Sequence, residues 1–155
     1  RQMCIRDSFY AAQVRFSEMG ATGALRSGVV NSVTPLTALN SGLSNCLMLG
    51  VEQGQTNLRI IHNDNLGSAT EIDLGANFPA PNANAAYEHC FYAPPNSTFI
   101  RYMVRRLDSR FVAQGSLTAD LPAQTVNLAP RVECRVGATA VPNTWQLKSF
   151  IMQGL

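Results

Sequence analysis

The sequence predicts an all-β protein, an antiparallel β-sandwich of the jelly-roll type. Short segments of alternating apolar and polar residues recur along the chain, and turns rich in Gly, Pro and Asn separate them. No segment sustains the periodicity of a helix. Charged residues make up only 14% of the chain, and small and amide residues replace them, as is typical of a turn-rich β protein. The length of 155 residues fits a single domain.

The clearest strand signal is a hairpin within Phe99–Thr118. Before the turn at residues 108–110, one face is apolar and carries Ile100, Tyr102 and Val104. After the turn, small and apolar residues again share one face, which carries Phe111, Ala113, Gly115, Leu117 and Ala119. Two alternating runs around a short turn predict two paired antiparallel strands.

The first half of the chain contains five predicted strands. Phe9–Phe16 alternates, and Gly28–Val33 is a short strand within a stretch rich in loop-forming residues. Cys46–Val51 is a continuous apolar run, which indicates a strand covered on both faces. Asn57–His62 returns after a turn, and Thr70–Leu74 alternates acidic with apolar residues.

The second half adds the hairpin and three more strands. Tyr87–Tyr92 precedes the hairpin, and Arg131–Val136 and Thr144–Met152 follow it. Asn77–Asn84 is predicted to be a loop, because its two prolines cannot donate to a sheet. Nine or ten short strands at this spacing are expected of a sandwich or barrel.

The first eight residues, RQMCIRDS, differ in character from the rest of the chain. They match the in-frame translation of a transposon-end adapter used in sequencing, so we interpret residues 1–8 as an assembly artefact from environmental sequence data. Residues 9–155 then form the single sandwich domain. We expect the native protein to extend further toward its N-terminus, as a longer protein of which this domain is a fragment.

Three cysteines remain once Cys4 is set aside, namely Cys46, Cys90 and Cys134. Their odd number and wide spacing argue against a disulfide framework or a zinc site. We predict small buried side chains, with one bridged pair left open for a protein that matures outside a cell. No cofactor or metal is predicted.

Charge and hydropathy exclude two classes of partner. A net charge of +2 is too small to favour nucleic acid, and the arginines around the hairpin are interpreted as a solvated strand face rather than a basic patch. No apolar run reaches the ~20 residues of a membrane span, so no membrane partner is expected.

Three stretches resemble one family of proteins. They are IHNDNLGSATEIDLGANFP (Ile61–Pro79), VRRLDSRFVAQGSLTADLPAQTVNLAPRV (Val104–Val132) and the segment Trp145–Ile151. Together they look like a family of bacteriophage structural proteins found in tail fibres and related virion appendages. The closing residues IMQGL depart from the acidic, Tyr-containing end expected of that family.

This resemblance implies a concanavalin-like jelly-roll located on the virion. The implied function is non-enzymatic: a module of a tail fibre or surface appendage that contacts other virion proteins, binds host-surface glycans and forms a homo-oligomer, as a trimer. Two alternatives stay open, namely a capsid decoration protein without a ligand and a concanavalin-like carbohydrate-active enzyme.

Ligand binding is expected in loops at one end of the sandwich, because loops tolerate variation and carry recognition. The loops concerned are Asn63–Gly67, Asn77–Asn84 and Ala93–Thr98. Their amides and carboxylate are the predicted ligand-binding residues: Asn63, Asp64, Asn65, Asn82, Asn84 and Asn96.

No catalytic residue is predicted. Glu71 and Asp73 share a strand face and resemble a glycosidase pair, but a solvated strand edge is favoured. His62 with Asp64 and Asp73 suggests a metal or acid–base site, but a turn is the preferred interpretation. His89 is interpreted as a core or inter-strand histidine, because its neighbour Glu88 must point to the opposite face.

Overall fold

The computed structural model describes residues 8–18, 23–31, 39–80, 85–95, 97–135 and 144–154. Within these residues, ten strands form two antiparallel sheets packed as a sandwich, which confirms the predicted fold class. In chain order the strands are β1 (Ser8–Glu18), β2 (Ala24–Val30), β3 (Cys46–Glu52), β4 (Arg59–Asn63), β5 (Thr70–Asp73), β6 (Ala86–Ala93), β7 (Ile100–Arg106), β8 (Val112–Leu117), β9 (Ala129–Arg135) and β10 (Thr144–Gly154).

Each sheet combines distant parts of the chain. The first sheet has the order β10-β1-β6-β7-β8, and the second has the order β5-β4-β3-β2-β9. Strand β1 pairs with both β10 and β6, so the two ends of the described chain lie side by side in one sheet. As a result, four strands from both halves of the chain form the continuous surface β1-β6-β7-β8.

The core lies between the two sheets and is built from every second residue of their strands. Tyr10, Phe16 and Phe91 contribute from the first sheet, and Leu49 and Ile60 from the second, all with almost no exposure. Burying side chains of this size stabilises the fold by about 1.5–3 kcal/mol each. The alternation seen in the sequence therefore decides which face of each strand points inward.

His89 lies in this core, as predicted. Its ring centre is 5.6 Å from that of Tyr10 and 5.9 Å from that of Phe91. Burial lowers the pKa of His89 to about 4, outweighing a contact with the Ser27 backbone and the attraction of Glu88, which act in the opposite direction. The imidazole is therefore neutral at physiological pH.

The predicted hairpin is present as β7 and β8. Ile100 pairs with Leu117 and Val104 with Ala113, so these positions share the core face as predicted. Phe111 and Ala119, predicted on the same face, lie just outside β8 and are exposed. In the turn between the strands, Arg110 adopts a positive φ of 63°. The amide of Arg106 donates to the carbonyl of Phe111 and closes the turn.

Strand β2 corrects the sequence prediction of a strand at Gly28–Val33. It begins four residues earlier, at Ala24, and its residues are buried on both faces, so it has no alternation to detect. Arg26 is fully buried in it, where its guanidinium donates to Asn40 at 2.8 Å and pairs with Glu133 at 3.3 Å. These partners compensate the buried positive charge of Arg26. In the sequence alone, an arginine in this stretch looks like an exposed loop residue.

The outer face of the second sheet is covered in part by the short 3-10 turn Asn40–Gly42. Leu43 beside this turn joins Val30, Met48 and Ile61 in a second, smaller apolar cluster. Cys46 belongs to the same cluster, as predicted for a buried cysteine, and burial raises the pKa of its thiol to about 12.

The strand at Cys46–Val51 is confirmed as covered on both faces. Among the residues that the structure describes, no helix has the length and apolar character needed to cross a membrane. Residues 1–7 lie outside the described residues, while Ser8 begins β1, so the origin of the first eight residues stays a prediction.

Candidate functional site

A broad groove lies on the outer face of the first sheet. It has a volume of about 700 Å³ and crosses β1, β6, β7 and β8. The described residues that line this groove are Phe9, Cys90, Tyr92, Arg101, Tyr102, Met103, Gln114, Gly115 and Ser116. Grooves of this volume are in the range that binds small molecules and short polymers.

Strand alternation decides which side chains enter the groove. On β6, Phe91 is buried in the core while its neighbours Cys90 and Tyr92 take the outer face. The same alternation turns the side chains of Arg101, Met103, Gln114 and Ser116 outward from β7 and β8. Register then aligns them, because Tyr92 pairs with Arg101 and Arg101 with Ser116.

Beneath the groove, the core face of the sheet requires a glycine. Tyr102 and Gly115 face each other across β7 and β8 with their side-chain positions on the core face, and a Cβ on Gly115 would lie 2.8 Å from the Tyr102 ring. The missing side chain leaves room for the tyrosine ring beside β8. Because the side-chain positions of both residues are on the core face, the two residues line the groove only through their main-chain atoms.

The lining combines apolar surface with hydrogen-bonding groups. Phe9, Tyr92 and Met103 provide aromatic and aliphatic area, while Gln114 and Ser116 offer an amide and a hydroxyl. An aromatic face packs against the apolar face of a sugar ring, and amides and hydroxyls bond its hydroxyl groups. This set of side chains suits a polyhydroxylated ligand.

Arg101 is exposed in the groove and is held from below by an aromatic ring. Its guanidinium carbon lies 5.5 Å from the centre of the Phe99 ring, a cation–π contact. The next outward arginine on β7, Arg105, instead donates to Glu88 at 3.0 Å and 3.1 Å. Burial alone would raise the pKa of Glu88, but hydrogen bonds from Gln13 and Arg105 outweigh it and hold that pKa below its ordinary value.

Cys90 corrects the prediction of a buried cysteine. It is partly exposed and lines the groove. Burial of its thiol still raises its pKa, which keeps the sulfur protonated and a poor nucleophile at neutral pH. Cys134 is likewise only partly buried, in β9.

A second hollow continues the groove across β1. It has a volume of about 230 Å³ and is lined by residues that include Phe9, Ala11, Glu88, Ser149 and Ile151. Phe9 borders both hollows. Together they extend over the five strands of the first sheet, a width of roughly 19 Å at the usual strand spacing.

The predicted loop residues near position 64 serve the turn itself. Asn63 is fully buried, and its amide donates to the carbonyls of Leu43 and Gly67. Asp64 accepts a hydrogen bond from the amide of Leu66, and Asn65 adopts a positive φ of 76°. None of Asn63, Asp64 and Asn65 lines the groove, and ligand binding at these residues stays a prediction.

The other predicted binding residues, Asn82, Asn84 and Asn96, lie outside the described residues. Described parts of the Ala93–Thr98 loop border a small hollow of about 220 Å³, which faces Leu121–Gln124 at one end of the sandwich. Binding at this loop therefore also stays a prediction.

Glu71 and Asp73 lie together on β5, at the edge of the second sheet, and do not line the groove. Both carboxylates lie near Arg59, at 3.6 Å and 3.4 Å. Glu71 also accepts hydrogen bonds from Gln55 at 2.8 Å and Asn40 at 3.2 Å. These contacts occupy its carboxylate in a polar network that fixes the 3-10 turn on the sheet.

His62 and its neighbours likewise have a structural arrangement. The Nδ1 atom of His62 lies 3.0 Å from the carbonyl oxygen of Asp120, whose carboxylate accepts from the amides of Asp64 and Thr70. Burial alone would raise the pKa of Asp120, but these hydrogen bonds outweigh it and lower that pKa. Over the described residues, no three His, Cys, Asp or Glu side chains cluster as metal ligands.

The comparisons with known proteins reach the fold and no further. No protein-family model matches the chain, and no curated protein matches its sequence. Solved structures do match, among them the β-glucanase of Bacillus licheniformis, with a TM-score of 0.61 and 12% identity over 100% of this chain and 68% of that chain. At this identity the likeness shows the fold alone, a concanavalin-like jelly-roll.

Proposed function

We propose that this sandwich is a carbohydrate-binding module that holds a glycan in the groove of the first sheet. The observation that carries the proposal is the groove itself, in which aromatic side chains and neutral hydrogen-bonding groups share one open surface. Its extension over five strands suits a chain of several sugars rather than a single one.

We further propose that the module belongs to an appendage of a bacteriophage particle, where it contacts other virion proteins and binds a host-surface glycan. The resemblance of Ile61–Pro79 and Val104–Val132 to virion proteins supports this context. In this role the protein is not an enzyme and forms a homo-oligomer, as a trimer.

Glycan-array binding of the chain tests the carbohydrate proposal. We expect binding to a defined set of glycans that Tyr92→Ala weakens, because this change removes an aromatic face from the groove. Phe111→Ala is the matched control, since Phe111 is an exposed aromatic residue outside the groove. The proposal is wrong if no glycan binds, or if both variants lose binding equally. Light scattering of the same sample measures its mass and tests the trimer.

A carbohydrate-active enzyme is the second candidate. The name of the fold neighbour, a β-glucanase, and the adjacent carboxylates of Glu71 and Asp73 favour it. A reducing-sugar assay on β-glucan tests this candidate, with Glu71→Gln as the variant. Release of sugar that the variant abolishes supports an enzyme. If the unmodified protein releases no sugar, a binding module is supported instead.

A further inference from the structure

Arg101 differs from the other arginines of its strand. Arg105 pairs with Glu88 at 3.0 Å, and Arg106 pairs with Asp108 at 2.7 Å. In contrast, Arg101 has no carboxylate partner within the part of the chain that the structure describes. It is also the one charged side chain among the described residues that line the 700 Å³ groove.

The surroundings of Arg101 position its guanidinium for a ligand. The Phe99 ring lies against it at 5.5 Å and restricts where the side chain moves. Its direct neighbours across the sheet are Tyr92 on β6 and Ser116 on β8, which also line the groove. A preorganised cation therefore lies between an aromatic side chain and a hydroxyl.

We propose that the groove selects anionic glycans and that Arg101 binds their negative group, either a uronate carboxylate or a sulfate ester. This inference rests on the proposed carbohydrate-binding function. A guanidinium has a planar set of donors that matches two oxygens of such a group, and hydrogen bonds between charged partners are about twice as strong as neutral ones. The described lining of the 700 Å³ groove contains no carboxylate, and Glu88 in the adjoining hollow is paired with Arg105. The ligand therefore supplies the countercharge for Arg101.

Paired probes that differ only in charge test the proposal. Oligogalacturonate and its fully methyl-esterified form test a carboxylate, and dextran sulfate and dextran test a sulfate ester. Isothermal titration calorimetry on the full chain measures the affinity for each probe. We expect one charged probe to bind at least about 10-fold more tightly than its neutral counterpart. We also expect that preference to shrink as salt is raised, because ions screen an exposed charge.

Two arginine variants assign this preference to a residue. Arg101→Gln is expected to lower the affinity for the charged probe to about that for its neutral counterpart. Arg105→Gln is the matched control, an exposed arginine on the same face of the same strand that does not line the groove. It is expected to keep the preference.

The outcomes separate this inference from the function on which it rests. Glycan binding that Tyr92→Ala weakens but Arg101→Gln does not change overturns the anionic selection and leaves the carbohydrate module standing. The selection is equally overturned if both arginine variants lower the preference to the same extent. Failure of every probe and of the glycan array overturns the proposed function, and the inference with it.

Discussion

The burial of His89 is expected to make the stability of the folded protein depend on pH. Its pKa is about 4 in the folded protein, against 6.5 for an ordinary histidine. Between these two values the unfolded chain binds a proton that the folded protein rejects, so the free energy of unfolding falls as pH falls from about 6.5 toward 4. The physical reason is the cost of placing a charged imidazole between Tyr10 and Phe91.

The size of the effect follows from the same two values. Proton linkage gives a loss of about 2 kcal/mol between pH 7 and pH 5, and of about 3 kcal/mol once the pH is below 4. For a single domain with a stability of about 5–15 kcal/mol, a loss of this size is readily measured.

Urea unfolding followed by circular dichroism at pH 7, 6 and 5 measures this loss. His89→Phe keeps an aromatic ring in the cluster but cannot take up a proton, so its stability should fall by about 2 kcal/mol less than that of the wild type over this range. All other titratable groups are common to both proteins, so the difference between them reports on the removal of His89. His89→Gln serves as a second non-titrating variant if the larger ring disturbs packing.

Parallel loss of stability in the wild type and both variants would refute the reasoning. It would mean that His89 is solvated or hydrogen-bonded well enough to accept a proton without cost. The loss of stability at low pH would then have to be assigned to other titratable groups.

Three further predictions concern stability at neutral pH, each measured by urea unfolding. Gly28→Ala should destabilise by about 1–3 kcal/mol, because a Cβ there would overlap the carbonyl oxygen of Leu47; an unchanged midpoint would show that β2 and β3 separate easily. Asp120→Ala should cost about 0.5–1.5 kcal/mol, because it removes the acceptor of the exposed amide of Thr70, and faster hydrogen exchange at that amide would locate the effect. Leu66→Ser should change stability by less than about 0.5 kcal/mol, since this side chain is 87% exposed; a larger loss would reveal a contact that covers it.

The sequence by itself determines much of this protein. Alternation in β6, β7 and β8 decides which side chains face the core and which face outward, because a strand has a period of two whatever its partners are. It places Phe91 and Val104 inside and Tyr92 and Arg101 outside. The local turn between β7 and β8 also determines their pairing, because the two strands are joined by only a few residues.

Only the tertiary structure decides which strands are neighbours. The groove needs β1 beside β6, a pairing between residues about 80 positions apart, and no local pattern specifies such a contact. For the same reason, local patterns do not reveal β2, because the buried Arg26 is compensated by Glu133 from the distant strand β9. Sequence signals are local, and they therefore predict binding in the loops. The groove arises on a sheet face, because its lining residues come together only when four strands from both halves of the chain pair.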